Sequence, residues 1–469
     1  MGNKIYVSSD LYIEMPSDEI RKWAAENLEY RNPEYTNRYR MGLYTGNVPA
    51  RIFLYECLPN GDMRMPYGCL TQIPLVKNEE IFTKFHPKKT IDFNCSLPLY
   101  AYQQKAVDEA YKAKFGMIVA PTGSGKTQMG IGLVAKWGLR TLWLTHTRDL
   151  LEQSKERAIK YLGADRVGEI TTDTKHLYDR KGFFVATIQT MYRMDPSLYR
   201  NWFDLIIVDE CHHVAGSYNS ITMYQTVLNS LNARHKYGLT ATLHRSDGLI
   251  GTAKMLLGNV CATVEKDDCK DTIVQVGVKK VDTGVELDRS CLNTDGTMNY
   301  ANTIYYLCNH EERNRLIITH MLAYCDYSSL ILTHRVEHLY TLQNLLPEWM
   351  KKDSAVIHAK TKLRERNDIL NRMRTGELKY LFATYGLAKE GLDIPKLERL
   401  YLVTPQKDYG IITQCIGRIA RKEDKADPIC VDFVDNIGYF RKIWVSRRSV
   451  YRKNDCYILE GEDEQQTEV

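Results

Sequence analysis

Residues 117–127 read Met-Ile-Val-Ala-Pro-Thr-Gly-Ser-Gly-Lys-Thr, an apolar run that ends in a glycine-rich turn and a Lys-Thr pair. That pattern suits a phosphate-binding loop. Gly123 and Gly125 let backbone N–H groups converge on phosphate oxygens, with Thr122 and Ser124 at the neighbouring loop positions; Lys126 neutralises the β/γ charge, and the Thr127 hydroxyl is a ligand for Mg²⁺. The strict pattern asks for glycine where Ala120 stands, so the loop alone leaves open a plain strand-to-helix turn with an exposed lysine. A second constellation sits further on, where the apolar residues 205–208 run straight into Asp209-Glu210-Cys211-His212-His213. Two acids at the carboxyl end of a buried strand are costly unless they serve a cation or a proton transfer. Asp209 reads as the Mg²⁺ acid and Glu210 as the group that orients or deprotonates a water. The histidines do not extend this into a zinc site, because adjacent side chains on an extended or turning segment point apart and no third ligand has suitable spacing.

The elements that must position these residues follow from periodicity. Short runs, apolar on both faces, predict strands at 116–119, 141–144, 183–186, 205–208 and 237–239, with helices at 103–113, 126–137 and 148–161 between them. Doubly buried strands separated by helices imply a parallel sheet covered on both sides. The same alternation resumes at 329–332, 354–357, 378–383, 399–403 and 428–433. The fold class is therefore α/β, with two parallel-sheet units in tandem at 91–283 and 310–458, joined by a sparsely structured connector at 284–309. Residues 1–90 form a small α+β module, with strands near residues 4–7 and 12–13, a helix from Asp18 capped by Ser17, and a strand at 51–55. Its segment 30–44 interleaves Arg31, Arg38 and Arg40 with Tyr35 and Tyr39, which suits either contact with a sugar-phosphate backbone or a Tyr-rich core with a solvated basic face.

Length and composition agree with that division. A chain of 469 residues suggests roughly three domains, and 44% hydrophobic residues suffice for globular cores. No run of about twenty apolar residues is present and the N-terminus is charged, so a soluble, cytoplasmic protein is expected. Twelve cysteines occur without a C-x-x-C pair and read as reduced thiols. The net charge is +5, but the last ten residues hold five acids and no base, leaving +10 on residues 1–459 ahead of an acidic tail at 459–469. That excess permits a polyanionic partner.

Asp209-Glu210-Cys211-His212 resembles the DExH box of superfamily 2 helicases and translocases, and further family motifs follow in order. Gly238-Leu239-Thr240-Ala241-Thr242 is similar to motif III, which couples nucleotide state to the nucleic-acid track; the resemblance makes His212, Thr240 and Thr242 coupling residues. Gln414, Gly417, Arg418 and Arg421 match motif VI, where planar guanidinium groups grip charge on a transferring phosphoryl group. Tyr102-Gln103 resembles the segment that presents a glutamine to adenine, although the arginine often found just upstream is missing here. Thr145 and Arg148 resemble motif Ia, while Thr187, Gln189 and Thr190 resemble the adjacent backbone-contacting motif. Thr333 and Arg335 resemble motif IV, and Thr384 with Asp393 motif V. The resemblance assigns Asp393 to the nucleotide and the other residues of these four motifs to phosphate contacts that ignore base sequence.

Arg245 and Asp247, directly after motif III, resemble the Arg-x-Asp signature of XPB-type repair helicases, to which the coupling role extends. The module around Asn32, Arg40 and Tyr55 is similar to the leading domain of phage recombination helicases of the UvsW kind. The resemblance implies a motor that binds ATP and Mg²⁺ between two α/β units and remodels branched or forked DNA. Two alternatives stay open: a duplex DNA translocase without strand separation, and an ATP-gated clamp. The basic segment Arg441, Lys442, Arg447, Arg448, Arg452 and Lys453 reads either as a further duplex contact or as a solvated helix face.

Overall fold

The computed structural model describes residues 4–74, 80–86, 90–173, 181–241, 249–270, 272–389, 394, 397–420, 422 and 427–459. Thr242, Arg245, Asp247, Asp393, Arg421 and the tail from residue 460 lie outside the described residues. The chain divides into two compact units, 1–269 and 270–469.

The first unit opens with strands β1 (Lys4–Val7), β2 (Asp10–Glu14), β3 (Glu29–Arg31), β4 (Arg51–Phe53), β5 (Glu56–Cys57), β6 (Met63–Pro66) and β7 (Glu80–Thr83). Five of them form a mixed sheet in the order β5-β6-β2-β1-β7, and β3 pairs with β4 as a separate antiparallel ribbon. Alternation in β1 and β2 sends Ile5, Val7, Leu11 and Ile13 to one face, where helix Asp18–Asn27 covers them with Ile20 and Ala24. Ser17 caps that helix by accepting from the Ile20 N–H at 3.3 Å. This core continues into Ala215, Ile221, Leu249 and Met255 of the following α/β fold, so the module is welded to its neighbour. Lys236, fully buried, donates across the same seam to the Ser9 carbonyl at 2.5 Å and within its own fold to the Leu228 carbonyl at 2.7 Å.

Next come β8 (Gly116–Val119), β9 (Thr141–Thr145), β10 (Val167–Glu169), β11 (Phe183–Thr187), β12 (Leu205–Val208), β13 (His235–Thr240) and β14 (Val260–Thr263), all parallel, in the order β10-β11-β9-β12-β13-β8-β14. The second unit holds β15 (Gly277–Asp282), β16 (Ser329–Thr333), β17 (Ser354–Ile357), β18 (Tyr380–Thr384), β19 (Arg399–Leu402), β20 (Ile429–Val434) and β21 (Tyr457–Leu459), in the order β17-β18-β16-β19-β20-β15-β21. Numbered within each unit, the two orders are identical, so the chain repeats one RecA-like doubly covered parallel sheet.

Two expectations change. Residues 277–282 pair with β20 and β21, so the first α/β fold closes before residue 270 and not at residue 283. The residues Gly-Val-Lys-Lys-Val-Asp of β15 carry no mark of which sheet they will join, and only the repeated order reveals β15 as the first strand of the second sheet. The stretch 284–309 is also no bare connector. Helix Tyr300–Asn309 buries Ile304 and Leu307 against Ile437, Phe440 and Ile443 of the second unit.

Candidate functional site

The carboxyl ends of β8, β12 and β13 lie side by side in the first sheet, and each ends in one of the chemical motifs. After β8 the chain turns through Gly123 (φ +90°) and Gly125 (φ +85°) into helix Lys126–Trp137. Gly125 is dictated twice: its backbone lies in the left-handed region, and a Cβ there would fall 2.3 Å from the Gln103 side-chain nitrogen. Ser124 is buried with its hydroxyl donating to the Pro121 carbonyl at 2.7 Å, which ties the loop to itself. Thr122 Oγ1 is buried and has no hydrogen-bond partner among the described residues, a donor left over for an anion on the loop.

β12 delivers Asp209 and Glu210. Glu210 takes a left-handed backbone (φ +46°, ψ +52°), rare for a side chain of this size and a source of local strain. That turn sets Glu210 Oε1 3.6 Å from Lys126 Nζ and Oε2 3.3 Å from His212 Nδ1. Burial and the neighbouring Glu210 charge push the Asp209 carboxyl up, whereas Glu210, despite its own burial, is held below the usual carboxylate range by Lys126 and His212. The environments of the two adjacent acids thus push their carboxyls in opposite directions. His212 Nδ1 also lies 3.2 Å from Thr240 Oγ1 at the end of β13. His212 Nδ1 therefore stands between the Glu210 carboxylate and Thr240 of motif III.

The oxygen donors of Thr127 and Asp209 are those a hard divalent cation takes, and the loop's converging N–H groups and Lys126 fit phosphate. Held by those two oxygens, Mg²⁺ would neutralise phosphate charge on the loop. Gln103, expected to read the base, has both amide atoms engaged within the protein. Its side-chain oxygen accepts from the Tyr100 N–H at 3.0 Å and its nitrogen donates to the Ser124 carbonyl at 2.8 Å, so its amide holds the phosphate loop. The Tyr102 hydroxyl is a second donor to that carbonyl, at 3.0 Å.

The expected nucleic-acid residues divide. Thr145 and Thr333 are fully buried, their hydroxyls directed to the Thr147 carbonyl and to His338 Nδ1; strand-end threonines read from sequence as phosphate contacts are interior here, a correction for both side chains. Arg148 is clamped by Glu152 and Glu169, each at 2.5 Å. Thr187 caps helix Ile188–Arg193, accepting from the Thr190 N–H, and Gln189 donates to the His146 carbonyl at 3.0 Å. Arg335 reaches the Ala301 carbonyl at 3.3 Å, and Thr384 ends β18 half-buried.

In the second unit, helix Tyr409–Ile419, capped by Asp408, carries Gln414 and Arg418 one turn apart on one face, and Gln414 Oε1 is buried without a hydrogen-bond partner among the described residues. The basic C-terminal segment splits by burial. Arg447 lies inside, paired to Asp432 at 2.8 Å beside Tyr451, which donates to the same acid at 2.5 Å, while Arg441, Lys442, Arg448 and Lys453 face solvent or its edge. Sequence reasoning missed Ser154 and Arg157 on helix Arg148–Leu162, which reach Asp209 and Thr127. Their spacing of three residues was the available signal, but nothing in the sequence brings that helix face to the loop.

Residues 96–245 match the family model described as the type III restriction enzyme res subunit, and residues 311–423 match the helicase conserved C-terminal domain. Escherichia phage T5 "Probable helicase D10" is 25% identical over 96% of this chain and 94% of its own length. The DNA 3'-5' translocase XPB2 of Sulfurisphaera tokodaii is 27% identical over 70% of this chain and 80% of its own. A protein of Acanthamoeba polyphaga mimivirus named as an RNA helicase is 27% identical over 77% and 69%. In fold, the chain is similar to Saccharomyces cerevisiae Dbp5 bound to RNA and ADP BeF3, with TM-score 0.54 at 17% identity over 78% of this chain and 90% of that one. The two family matches fall on the two α/β folds, and with these relatives they support a superfamily 2 helicase of the XPB-type group. Among the described residues, no helix is long and apolar enough to cross a membrane.

Proposed function

We propose that this chain is an ATP-dependent DNA helicase or translocase that remodels branched DNA. The observation that carries the proposal is the contact chain from Lys126 to Glu210 to His212 to Thr240, which joins the phosphate loop to motif III through side chains 3.2–3.6 Å apart. In this reading the loop residues Thr122–Thr127 hold the phosphates of ATP. Thr127 and Asp209 take Mg²⁺, Glu210 orients the attacking water, and Gln414, Arg418 and Arg421 stabilise charge on the transferring phosphoryl group. His212 and Thr240 report nucleotide state to motif III, with Thr242, Arg245 and Asp247 as their continuation. Arg148, Gln189, Thr190, Arg335 and Thr384, with backbone amides at the strand ends, grip the nucleic-acid backbone.

DNA as substrate is supported by the likeness to an archaeal protein named as a DNA translocase. A role for the N-terminal module in holding a fork or junction is supported by helix Pro33–Arg40, which buries none of its residues, and by Tyr39 and Tyr44, 72% and 75% exposed among Arg31, Arg38 and Arg40. A Tyr-rich core does not account for side chains so open to solvent, whereas stacking on bases does.

The test compares hydrolysis and strand rearrangement on single strands, plain duplex, forks, four-way junctions and RNA. Junction rearrangement without displacement from a plain duplex is the expected result. Stimulation by RNA alone rejects the DNA assignment, and turnover surviving in Lys126→Ala rejects the site.

A further inference from the structure

Helix Arg148–Leu162 turns Ser154 and Arg157 toward the phosphate loop. Ser154 Oγ donates to Asp209 Oδ2 at 3.4 Å, and Arg157 Nη1 donates to Thr127 Oγ1 at 3.0 Å. The Arg157 charge also opposes the upward push that burial gives the Asp209 carboxyl. A guanidinium thus stands among the two side chains that fit Mg²⁺, and it uses a lone pair of the hydroxyl that a cation needs. Magnesium takes oxygens at about 2.0–2.1 Å in a strict octahedron and tolerates no cation inside that shell. Arg157 is half-buried on a long stem, so it has room to withdraw toward solvent while its helix stays packed through Leu151, Ala158 and Leu162.

We propose that Arg157 is the resident cation of the nucleotide-free site: it holds the Thr127 hydroxyl while Ser154 holds Asp209, and Mg·nucleotide loads only as Arg157 leaves the Thr127 hydroxyl. Arg157 is accordingly a positioning residue that sets the magnesium requirement of binding. The inference rests on the reading of this loop as a Mg·nucleotide site.

The experiment titrates Mg²⁺ into the full chain with a fluorescent ADP analogue, N-methylanthraniloyl-ADP, and follows polarisation, so that the readout is binding and not turnover. In Arg157→Gln the half-saturating Mg²⁺ concentration falls by about fivefold or more, the scale of a modest coupling between two sites, while analogue binding in EDTA is unchanged. Arg157→Met, which keeps the apolar stem, gives the same shift and serves if the glutamine variant does not fold. An unchanged Mg²⁺ requirement overturns the proposal. Weaker analogue binding in EDTA also overturns it, because Arg157 would then be a phosphate ligand. Failure of the wild type to bind the analogue with Mg²⁺ rejects instead the nucleotide reading on which the inference stands.

Discussion

Individual side chains in the site answer to geometry more than to type. Gly125 admits no Cβ, since its φ of +85° and the Gln103 nitrogen both forbid one, so Gly125→Ala is expected to displace the loop and weaken binding of a nucleotide analogue. Isothermal titration measures this directly, and an affinity within error of wild type would contradict it. Glu210→Gln removes the base but keeps the shape; turnover should fall by about 10²–10⁴ while analogue binding persists. The His212 bridge makes a different prediction. Thr240→Val keeps volume and removes the hydroxyl 3.2 Å from His212. If that contact transmits nucleotide state, basal hydrolysis is retained while its stimulation by DNA drops about fivefold or more, read as the ratio of the two rates. Equal loss of both rates would make Thr240 merely structural.

At the level of elements, buried charge decides where strands and helices lock together. On β13, Lys236 sits beneath the N-terminal sheet, and burial lowers its amine from 10.5 to about 7. A neutral amine still donates two hydrogens, which matches its two carbonyl partners, Ser9 and Leu228. The unfolded chain then binds more protons than the folded one between pH 7 and 10.5, so stability is lost as pH falls through that window. Urea midpoints should rise from pH 7.5 to 9.5 in the wild type, and Lys236→Met should flatten that rise. In the second unit, Arg447 is tied to Asp432, and Arg447→Ala leaves that buried carboxylate without its paired cation, held by the Tyr451 hydroxyl. A loss of about 3–5 kcal/mol in denaturant stability is expected. A surface arginine at this position would cost almost nothing on the same measurement.

For the whole molecule, the shared core changes how the N-terminal module must be tested. Removing it would bare Ala215, Ile221, Leu249 and Met255, so truncation is expected to compromise the first α/β fold along with any DNA contact. The informative variant leaves the core intact. Tyr39→Ala with Tyr44→Ala and Arg38→Ala, all on the exposed segment, should lower junction affinity in a gel-shift series while melting temperature and basal hydrolysis stay at wild-type values. Unchanged junction affinity would remove the module's proposed role.

The two α/β units, most of their strands, and the order of the phosphate loop, the paired acids and motif III were legible from residue type and spacing. These features are local: a glycine that must turn, an acid ending an apolar run, or a Ser17 cap is written within a few residues. Tertiary structure decided the rest. It assigned β15 to the second sheet, because strand partners are chosen by packing and not by composition. It buried Thr145, Thr333 and Arg447, which look like surface contacts in a linear reading, and it set the Gln103 amide between the Tyr100 N–H and the phosphate loop. It also brought Arg157, thirty residues along the chain, to the Thr127 hydroxyl. Contacts between elements depend on which faces meet, and that is fixed only when the sheet is assembled and its helices have closed over it.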